Sequence, residues 1–168
     1  MSPAQDSNEL LPVVDGEDRQ VGLAPRSQVH AQGLLHRAVH ILLFNPEGSL
    51  WLQRRGPAKD TYPGLWTSSA SGHVDPGEDY LSAACRELRE ELGLELELDY
   101  VGKVPAGPAT QGEFSGVFRA ETDQKPRPDP QEIAEMGLFS LADAKALALD
   151  HGRCAPSLEA VMRAAGLI

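Results

Sequence analysis

Cysteine is scarce in this 168-residue sequence, which contains only Cys85 and Cys154. The two residues lie far apart and form no Cys-x-x-Cys pair, which argues against a zinc site or a disulfide framework and favours reduced thiols. Long apolar runs are also missing, since none approaches the ~20 residues that cross a bilayer. The N-terminal decapeptide MSPAQDSNEL is polar and acidic, unlike a signal peptide. We therefore expect a cytoplasmic protein that has no membrane partner.

Basic residues are few relative to acidic ones: 15 Lys and Arg accompany 25 Asp and Glu, which gives a formal net charge of −10. A surface this acidic repels nucleic acid and anionic membranes. It does not exclude a small phosphorylated substrate, because divalent cations can lie between acidic side chains and phosphate oxygens. The charge therefore favours a small-molecule partner and argues against a nucleic acid polymer.

The hydrophobic content of 41% is sufficient for a core, and the length suits one domain. We expect a disordered tail over residues 1–8 and a single domain over residues 9–168. Hydrophobic patterns separated by turn residues predict strands over 10–14, 21–23, 37–44, 49–54, 66–71, 94–101 and 114–120. Helices are predicted over 80–92, over 141–149 and from Pro156 to before Gly166, with a helical turn or loop over 27–33. This order predicts a mixed sheet packed between helices, an α/β or α+β sandwich.

The polar face of the first long predicted helix carries Glu87, Glu90 and Glu91. Their offsets of three and four place the carboxylates side by side, where like charges destabilise a helix by roughly 0.2–0.5 kcal/mol per pair. A divalent cation would convert that repulsion into binding, and Mg²⁺ prefers oxygen ligands that it shares with water and phosphate. The alternative is an ordinary solvated face, with Arg86 and Arg89 as neutralising partners.

The residues around this helix follow a fixed spacing. The segment 72–94, GHVDPGEDYLSAACRELREELGL, resembles the Nudix box, Gly-x5-Glu-x7-Arg-Glu-U-x-Glu-Glu-x-Gly-U, in which U is aliphatic. Every specified position is matched, by Gly72, Glu78, Arg86, Glu87, Leu88, Glu90, Glu91, Gly93 and Leu94. Nine matches at fixed spacing favour the metal-binding interpretation over the solvated face.

The resemblance implies a fold, a cofactor and an activity. The fold is a Nudix-type α/β/α sandwich with a mixed central sheet. The cofactor is a divalent metal, usually Mg²⁺ with Mn²⁺ as an alternative, on Glu87, Glu90 and Glu91. The usual reaction in the family is attack of water on a nucleoside diphosphate linked to another moiety. Structural roles in the box are implied for Gly72, Glu78, Arg86 and Gly93, with Glu78 and Arg86 as a buttressing pair.

The chemistry of a diphosphate suits these residues. Metal ions neutralise the charge on both sides of the scissile bond and lower the pKa of a bound water, and phosphoryl transfer is catalysed mainly by positioning and electrostatics. The resemblance does not fix the general base, for which Glu87, Glu113, Glu132 and Glu135 are candidates. We favour Glu87 as the base and assign catalysis to Glu87, Glu90 and Glu113.

A second resemblance extends outside the box. The stretch that begins at about Leu34, LLHRAVHILLFNPEGSLWLQRRGPAKDTYPGLWTSSASGH, is similar to type I isopentenyl diphosphate isomerases, which share the Nudix fold, and the similarity continues more loosely to about Leu141. It implies that His30, His36 and His73 lie near the metal-ligand histidines of that enzyme. Glu113 falls near its catalytic glutamate, and Gln111 replaces a ligand glutamate. Whether the histidines bind metal stays open, because backbone hydrogen bonds near a loop would equally explain His30 and His36.

Two departures from the isomerases favour a hydrolase. Ser71 occupies the position of the catalytic cysteine, and a hydroxyl, whose pKa is far above that of a thiol, cannot serve as the same acid–base group. The isomerases also carry a degraded box, whereas this chain keeps every glutamate. We therefore predict a metal-dependent hydrolase that cleaves a diphosphate linkage in a small phosphorylated metabolite. The alternatives are an isopentenyl diphosphate isomerase and a non-catalytic ligand sensor, and the complete box argues against the sensor.

Five residues are predicted to bind the substrate: Arg37, Arg54, Arg55, Lys59 and His73. Arginine suits bidentate contact with phosphate, but an ordinary charged strand end is the alternative for the basic residues. Trp51 and Trp66 would stack on a ring or, more often for tryptophans in strands, pack in the core; packing is also expected for His40. The substrate and the oligomeric state stay open, and a homodimer is compatible with the resemblance because many members of the family are dimers.

Overall fold

The computed structural model describes residues 6–168. Most of the tail expected over residues 1–8 therefore lies outside the described residues. Residues 6–8 form a turn, in which the Asn8 N–H donates to Asp6 Oδ1 at 2.9 Å. Among the residues that are described, no helix combines the length and the apolar character needed to cross a membrane.

The first part of the described chain, residues 6–33, forms what we term the N-terminal module. Strands β1 (Leu10–Val14) and β2 (Gln20–Pro25), both predicted as strands, pair as an antiparallel hairpin. Helix α1 (Arg26–Gln32) follows directly. For this segment the sequence predicted either a helical turn or a loop. Three buried residues form a small core of its own: Leu11, Ala24 and Val29.

A seven-stranded mixed sheet forms the centre of the protein. Its strands are β3 (His36–Phe44), β4 (Leu50–Arg55), β5 (Trp66–Thr67), β6 (Ala70–His73), β7 (Asp99–Val104), β8 (Glu113–Glu121) and β9 (Ile133–Phe139). The main path runs β5-β4-β3-β8-β7, with β6 added to β3 and β9 added to β4. Strands β3 and β8 are parallel, beginning with His36 opposite Glu113, and the other strand pairs are antiparallel. The parallel register therefore places these two side chains at the same end of the sheet.

Helices cover both faces of this sheet. Helix α2 (Tyr80–Leu92) packs on one face, and helices α3 (Leu141–Ala148) and α4 (Ser157–Ala164) pack on the other. Alternation along β3 separates the two cores, since Ile41 belongs to the core beneath α2 and Leu42 to the core beneath α3 and α4. The predicted α/β/α sandwich with a mixed central sheet is confirmed.

Helix α2 has the bounds predicted from the sequence. The Asp79 side chain accepts the Ser82 N–H at 2.7 Å as the N-cap. Gly93, whose φ of 66° is left-handed, ends the helix by donating its N–H to Arg89 O at 3.0 Å. Leu88 is fully buried on the apolar side. The caps and the apolar stripe together orient the helix so that its acidic positions lie toward the cavity described below.

Two predicted strands differ from the structure. The strand expected over 94–101 begins only at Asp99. Leu94 and Leu98 are buried, but residues 94–98 have no neighbouring strand, so their alternation reflects packing without a hydrogen-bonded ladder. The extended run expected over 66–71 is divided into β5 and β6, which pair with β4 and β3 respectively. Strand β9 was not predicted, and it forms by long-range pairing with β4.

Candidate active site

A cavity of about 470 Å³ is lined by the N-terminal module, strands β3 and β6, helix α2 and the loops around them. Nine of the predicted site residues line it: Arg55, Lys59, Gly72, His73, Arg86, Glu87, Glu90, Glu91 and Glu113. The others, Arg37, Arg54, Glu78 and Gly93, do not line it. The cavity therefore brings the box glutamates together with His30, His73 and Glu113 of the second resemblance, whereas His36 does not line it.

Glu87 lies directly against the backbone of Gly72. A Cβ atom on residue 72 would lie 2.2 Å from Glu87 Cδ and from Glu87 Oε1, so only glycine leaves room for this carboxylate. Burial raises the pKa of Glu87 well above its ordinary value, and repulsion from Glu91 adds to the effect. The Arg86 Nη1–H donates to Glu87 Oε1 at 2.8 Å and opposes the shift. Glu87 is thus a crowded carboxylate whose proton affinity is high.

Glu91 is the most deeply placed of the box glutamates, with 6% of its surface exposed. Its Oε1 accepts the Ser71 N–H at 3.0 Å and the Gln53 Nε2–H at 3.1 Å. Burial raises the pKa of Glu91 to about 7, with repulsion from Glu132 adding to the shift and the Ser71 and Gln53 hydrogen bonds opposing it. The two donors fix the direction of this carboxylate within the cavity.

Glu90 is more exposed, with 57% of its side chain accessible to solvent. Its Oε2 accepts from Arg86 Nη1 at 3.2 Å. The same arginine donates to Glu78 through Nε at 2.8 Å and Nη2 at 3.0 Å, and to the His73 carbonyl at 2.9 Å. Arg86 and Glu78 therefore hold the loop and the helix of the box together.

These features fit a divalent cation at the box glutamates. Glu87 and Glu91 are withdrawn from water within about one helical turn, and each is near another carboxylate that disfavours its ionised form. Removing such repulsion is what a cation with oxygen ligands would do. The donor set, which consists of carboxylate oxygens, suits Mg²⁺ or Mn²⁺.

The three histidines of the second resemblance form a cluster. One ring nitrogen from each of His30, His36 and His73 lies within 4.8 Å of the others. The His36 Nδ1–H donates to the Leu34 carbonyl at 2.9 Å, which leaves Nε2 as the acceptor atom in the neutral ring. That Nε2 is buried and has no hydrogen-bond partner among the described residues. A buried imidazole nitrogen aimed into a histidine cluster fits a metal ligand whose other nitrogen is fixed by the backbone.

Glu113 completes this cluster. Its Oε1 lies 3.6 Å from His36 Nε2 and 3.5 Å from His73 Nε2. Burial by itself would raise the pKa of Glu113, but interaction with His36 and His73 holds that pKa well below its usual range. An ionised carboxylate therefore stands beside two imidazoles.

Two further residues of the cavity wall clarify the resemblance to the isomerases. Ser71, at the position of the isomerase cysteine, lines the cavity and contributes its N–H to Glu91. His40 is buried, with Nδ1 at 2.7 Å from Ser68 Oγ, and burial lowers its pKa to about 4. A histidine held neutral in this way packs within the sheet, which is the role that the sequence favoured for it.

The basic residues predicted to contact substrate divide into two sets. Arg55 lines the cavity and is held by Thr61, to whose carbonyl its Nε–H donates at 2.9 Å. Lys59 also lines the cavity and forms an ion pair with Glu132. Arg37 and Arg54 point elsewhere: Arg37 binds Asp18 at 2.7 Å and Arg54 binds Glu135 at 3.1 Å. Only the first set is placed to meet a substrate in this cavity.

The tryptophans do not line the cavity. Trp66 packs edge-to-face on Phe139, with ring centroids 5.1 Å apart, in the core beneath α3 and α4. Trp51 packs against the core beneath α2. Core packing, the more common role for tryptophans in strands, therefore describes both residues.

Sequence reasoning missed three residues of the cavity wall that come from the N-terminal module. Asp6, Glu9 and Arg26 line the cavity. Arg26 Nη2–H also donates to Asp60 at 3.1 Å, which connects the start of α1 to the loop after β4. No local sequence pattern marks these positions, because they reach the cavity only through the docking of the module.

Comparison with known proteins agrees with this architecture. The NUDIX domain family matches residues 34–158. An isopentenyl-diphosphate Delta-isomerase of Serratia proteamaculans is 40% identical over 130 residues, which cover 74% of this chain and 73% of that protein. The uncharacterized Nudix hydrolase PA4841 of Pseudomonas aeruginosa is 37% identical over 161 residues, which cover 94% of each chain.

Among solved structures, the crystal structure of DR0079 from Deinococcus radiodurans aligns with a TM-score of 0.81 at 29% identity. The alignment covers 93% of this chain and 99% of that one, so the N-terminal module is largely included. The fold, the box and these relatives agree, and the chain therefore belongs to the Nudix hydrolase family, in the subgroup that resembles isopentenyl-diphosphate isomerases.

Proposed function

We propose that the protein is a metal-dependent hydrolase that cleaves a diphosphate linkage in a small phosphorylated metabolite, such as a nucleoside diphosphate derivative. The observation that supports this most directly is the presence, in one cavity, of partly buried Glu87 and buried Glu91 together with the basic side chains of Arg55 and Lys59. Clustered carboxylates suit a divalent cation, and basic side chains suit phosphate oxygens. The phosphate oxygens of a diphosphate can bind both the cation and the basic side chains.

Glu87, Glu90 and Glu91 would hold Mg²⁺, with Mn²⁺ as the alternative. When bound, the ion would neutralise diphosphate charge and lower the pKa of an attached water. Glu91 is oriented by the N–H of Ser71 and the amide of Gln53, so it acts as a fixed ligand. Glu87 lines the cavity with its carboxylate against the backbone of Gly72, and we assign it the role of general base.

The substrate would be oriented by the basic wall of the cavity. Arg55 is held by Thr61, so its guanidinium is directed before the substrate arrives. Lys59 is paired with Glu132, and a phosphate group would replace that carboxylate as its partner. His73 lines the cavity with its Nε2 atom 3.5 Å from Glu113 Oε1, and it would also contact the substrate.

A second cation site is proposed at His30, His36, His73 and Glu113. It is supported by the buried, unpartnered Nε2 of His36 and by the ionised Glu113 beside it. Three imidazoles and one carboxylate are ligands that several divalent transition metals accept. Glu113 is also the second candidate for general base, since its charge is retained at neutral pH.

The same cluster favours one other candidate, an isopentenyl diphosphate isomerase. That reaction moves a proton between carbon atoms and needs an acid–base pair. Ser71 offers only a hydroxyl where the isomerases have a thiol. Hydrolysis therefore remains the proposal, and isomerisation is the outcome that would replace it.

A substrate screen separates the two activities. The protein is incubated with Mg²⁺ or Mn²⁺ and a panel of nucleoside diphosphates, nucleotide sugars, thiamine diphosphate and isopentenyl diphosphate, and released phosphates are measured. We expect metal-dependent release from at least one member, and Glu91→Gln should lower kcat/KM by on the order of 10²-fold or more because a fixed ligand charge is lost. Glu97→Gln, at an exposed position beyond α2, is the matched control and should leave the rate unchanged.

Conversion of isopentenyl diphosphate to dimethylallyl diphosphate without release of phosphate would contradict the proposal. Full activity of both Glu87→Gln and Glu91→Gln would place the metal elsewhere. We also propose a cytoplasmic location, in keeping with the two free cysteines, Cys85 and Cys154. The oligomeric state, which the sequence leaves open, can be determined by sedimentation analysis.

A further inference from the structure

The N-terminal module supplies one wall of the active site although it precedes the segment matched by the NUDIX domain family, residues 34–158. Glu9, Arg26 and His30 from this module line the cavity. Of the clustered histidines, His36 lies on β3 and His73 on β6, so the central sheet fixes both. His30 is the one that depends on how the module docks.

The docking of this module depends on Asp18, which lies in the turn between β1 and β2. Only 8% of the Asp18 side chain is exposed. Its carboxylate accepts from Arg37 Nε at 2.7 Å, from Tyr80 Oη at 2.7 Å and from Lys103 Nζ. Its carbonyl accepts a further bond from Arg37 Nη2 at 2.6 Å. One aspartate therefore joins the tip of the hairpin to β3, to α2 and to β7.

The conformation of Asp18 matches this role. Its φ of 62° lies in the left-handed region, which aspartate tolerates better than most residues that have a side chain. Burial by itself would raise the pKa of Asp18, but the bonds from Lys103, Arg37 and Tyr80 hold it below its ordinary value. Without this carboxylate, the positive charges of Arg37 and Lys103 would face each other across the tip of the hairpin.

Other contacts also join the module to the domain, including the packing of β1 beside β3 and a hydrogen bond between the side chains of Glu9 and Asp75. The Val14 N–H donates to the Leu35 carbonyl at 2.9 Å, and Arg26 reaches Asp60. The core of the module, with Leu11 and Val29, is separate from the two main cores. Loss of the polar anchor at the tip would therefore let the hairpin and α1 shift while the central sheet stays folded.

We propose that Asp18 is a positioning residue: it fixes the N-terminal module on the sheet and thereby places His30 beside His36 and His73, which sets the affinity of this cluster for a divalent cation. The inference rests on the proposed use of the cluster as a cation site. Asp18 acts through the hairpin and α1, and it does not line the cavity itself.

The experiment measures Co²⁺ binding to the full-length protein, without substrate, by visible absorption and calorimetry. All variants carry Glu87→Gln and Glu91→Gln, so that the box carboxylates offer no second site. Asp18→Ala should weaken Co²⁺ binding by about tenfold or more, the range expected when a residue that orients a metal ligand is lost. In a His30→Ala background the same change should have no further effect, because the ligand that Asp18 positions is already absent.

Two controls distinguish positioning from a general loss of structure. Asp18→Asn keeps the shape of the side chain and should give a smaller loss than Asp18→Ala, and Glu17→Gln, at an exposed neighbour, should give none. Hydrogen exchange should become faster in β2 and α1 of Asp18→Ala, while exchange in β3 and β8 is unchanged. If Asp18→Ala fails to fold, the cycle is run with Asp18→Asn.

The possible results test the positioning role of Asp18 and the proposed cation site separately. Equal losses in the His30 and His30→Ala backgrounds, or no loss while His30→Ala weakens binding, would overturn the positioning role. Absence of Co²⁺ binding to the parent protein would overturn the proposed cation site, but hydrogen exchange would still test whether Asp18 fixes the N-terminal module. Unchanged exchange in β2 and α1 of Asp18→Ala would overturn that role of Asp18, whether or not Co²⁺ binds.

Discussion

The contact between Gly72 and Glu87 can be tested with a single methyl group. A Cβ on residue 72 would lie 2.2 Å from the Glu87 carboxylate, whereas ordinary contacts lie at 3.4–4 Å, so in Gly72→Ala the carboxylate must move by roughly 1 Å. Misplacing a catalytic group by about 1 Å costs about 10²-fold in rate. We therefore expect kcat/KM of Gly72→Ala to fall by about 10²-fold, or about 2.7 kcal/mol of transition-state stabilisation.

Stability should change much less than activity in this variant. The group that must move is the end of a flexible side chain, and in its present position that carboxylate is repelled by Glu91. We expect the free energy of unfolding to change by less than about 1 kcal/mol, which corresponds to less than about 4 °C in Tm for a chain of this size.

The assay compares kcat/KM, measured with the best substrate from the screen, with Tm measured by circular dichroism. Gly22→Ala is the matched control, because no atom lies within 4 Å of the Cβ that it adds. The reasoning is refuted if Gly72→Ala keeps the wild-type kcat/KM while Glu87→Gln loses it. A large loss of Tm would instead mean that the backbone, and not the carboxylate, absorbs the clash.

Two further predictions concern His40 and Arg86, which both line the cavity. Burial lowers the pKa of His40 from 6.5 to about 4, so the unfolded chain binds the proton first, and the free energy of unfolding should fall by up to about 1.4 kcal/mol per pH unit as pH drops from 6.5 to 4. Urea titrations at pH 7 and pH 5 should show a smaller loss in His40→Gln, and equal losses would contradict this. Arg86→Lys should destabilise by about 2 kcal/mol, because one ammonium cannot replace the two bonds to Glu78 and the bond to the His73 carbonyl; an unchanged urea midpoint would refute it.

The sequence predicted the features that depend on local chemistry. Helix α2 has its predicted bounds because Asp79 and Gly93 are caps at its two ends and the apolar stripe between them is regular. Strand β9 could not be predicted in this way, since its residues form a strand by pairing with β4, some eighty positions earlier in the chain. The alternation of leucine and glutamate at 94–98 predicted a strand that the structure does not contain. Leu94 and Leu98 are buried, but these residues do not pair with a neighbouring strand.

The residues predicted to contact the substrate show a similar division. Adjacent residues of a strand point to opposite faces, so Arg55 reaches the cavity whereas Arg54 reaches Glu135 on the surface. In the same way His36 joins the histidine cluster while Arg37 turns toward Asp18. Composition and spacing identified these basic residues, but the direction of each side chain follows from the sheet register, which the sequence does not specify.

The parallel register of β3 and β8 has a consequence for how such a site can diversify. His36 and Glu113 are held opposite each other by the sheet ladder, starting at its first rung. The loop that leads into Glu113 can therefore lengthen, shorten or change composition while the pair stays aligned, provided that the ladder keeps its register. Thr110 and Gln111 of that loop line the cavity. Substitutions there could therefore change which substrate fits while the pairing of β3 with β8 stays the same.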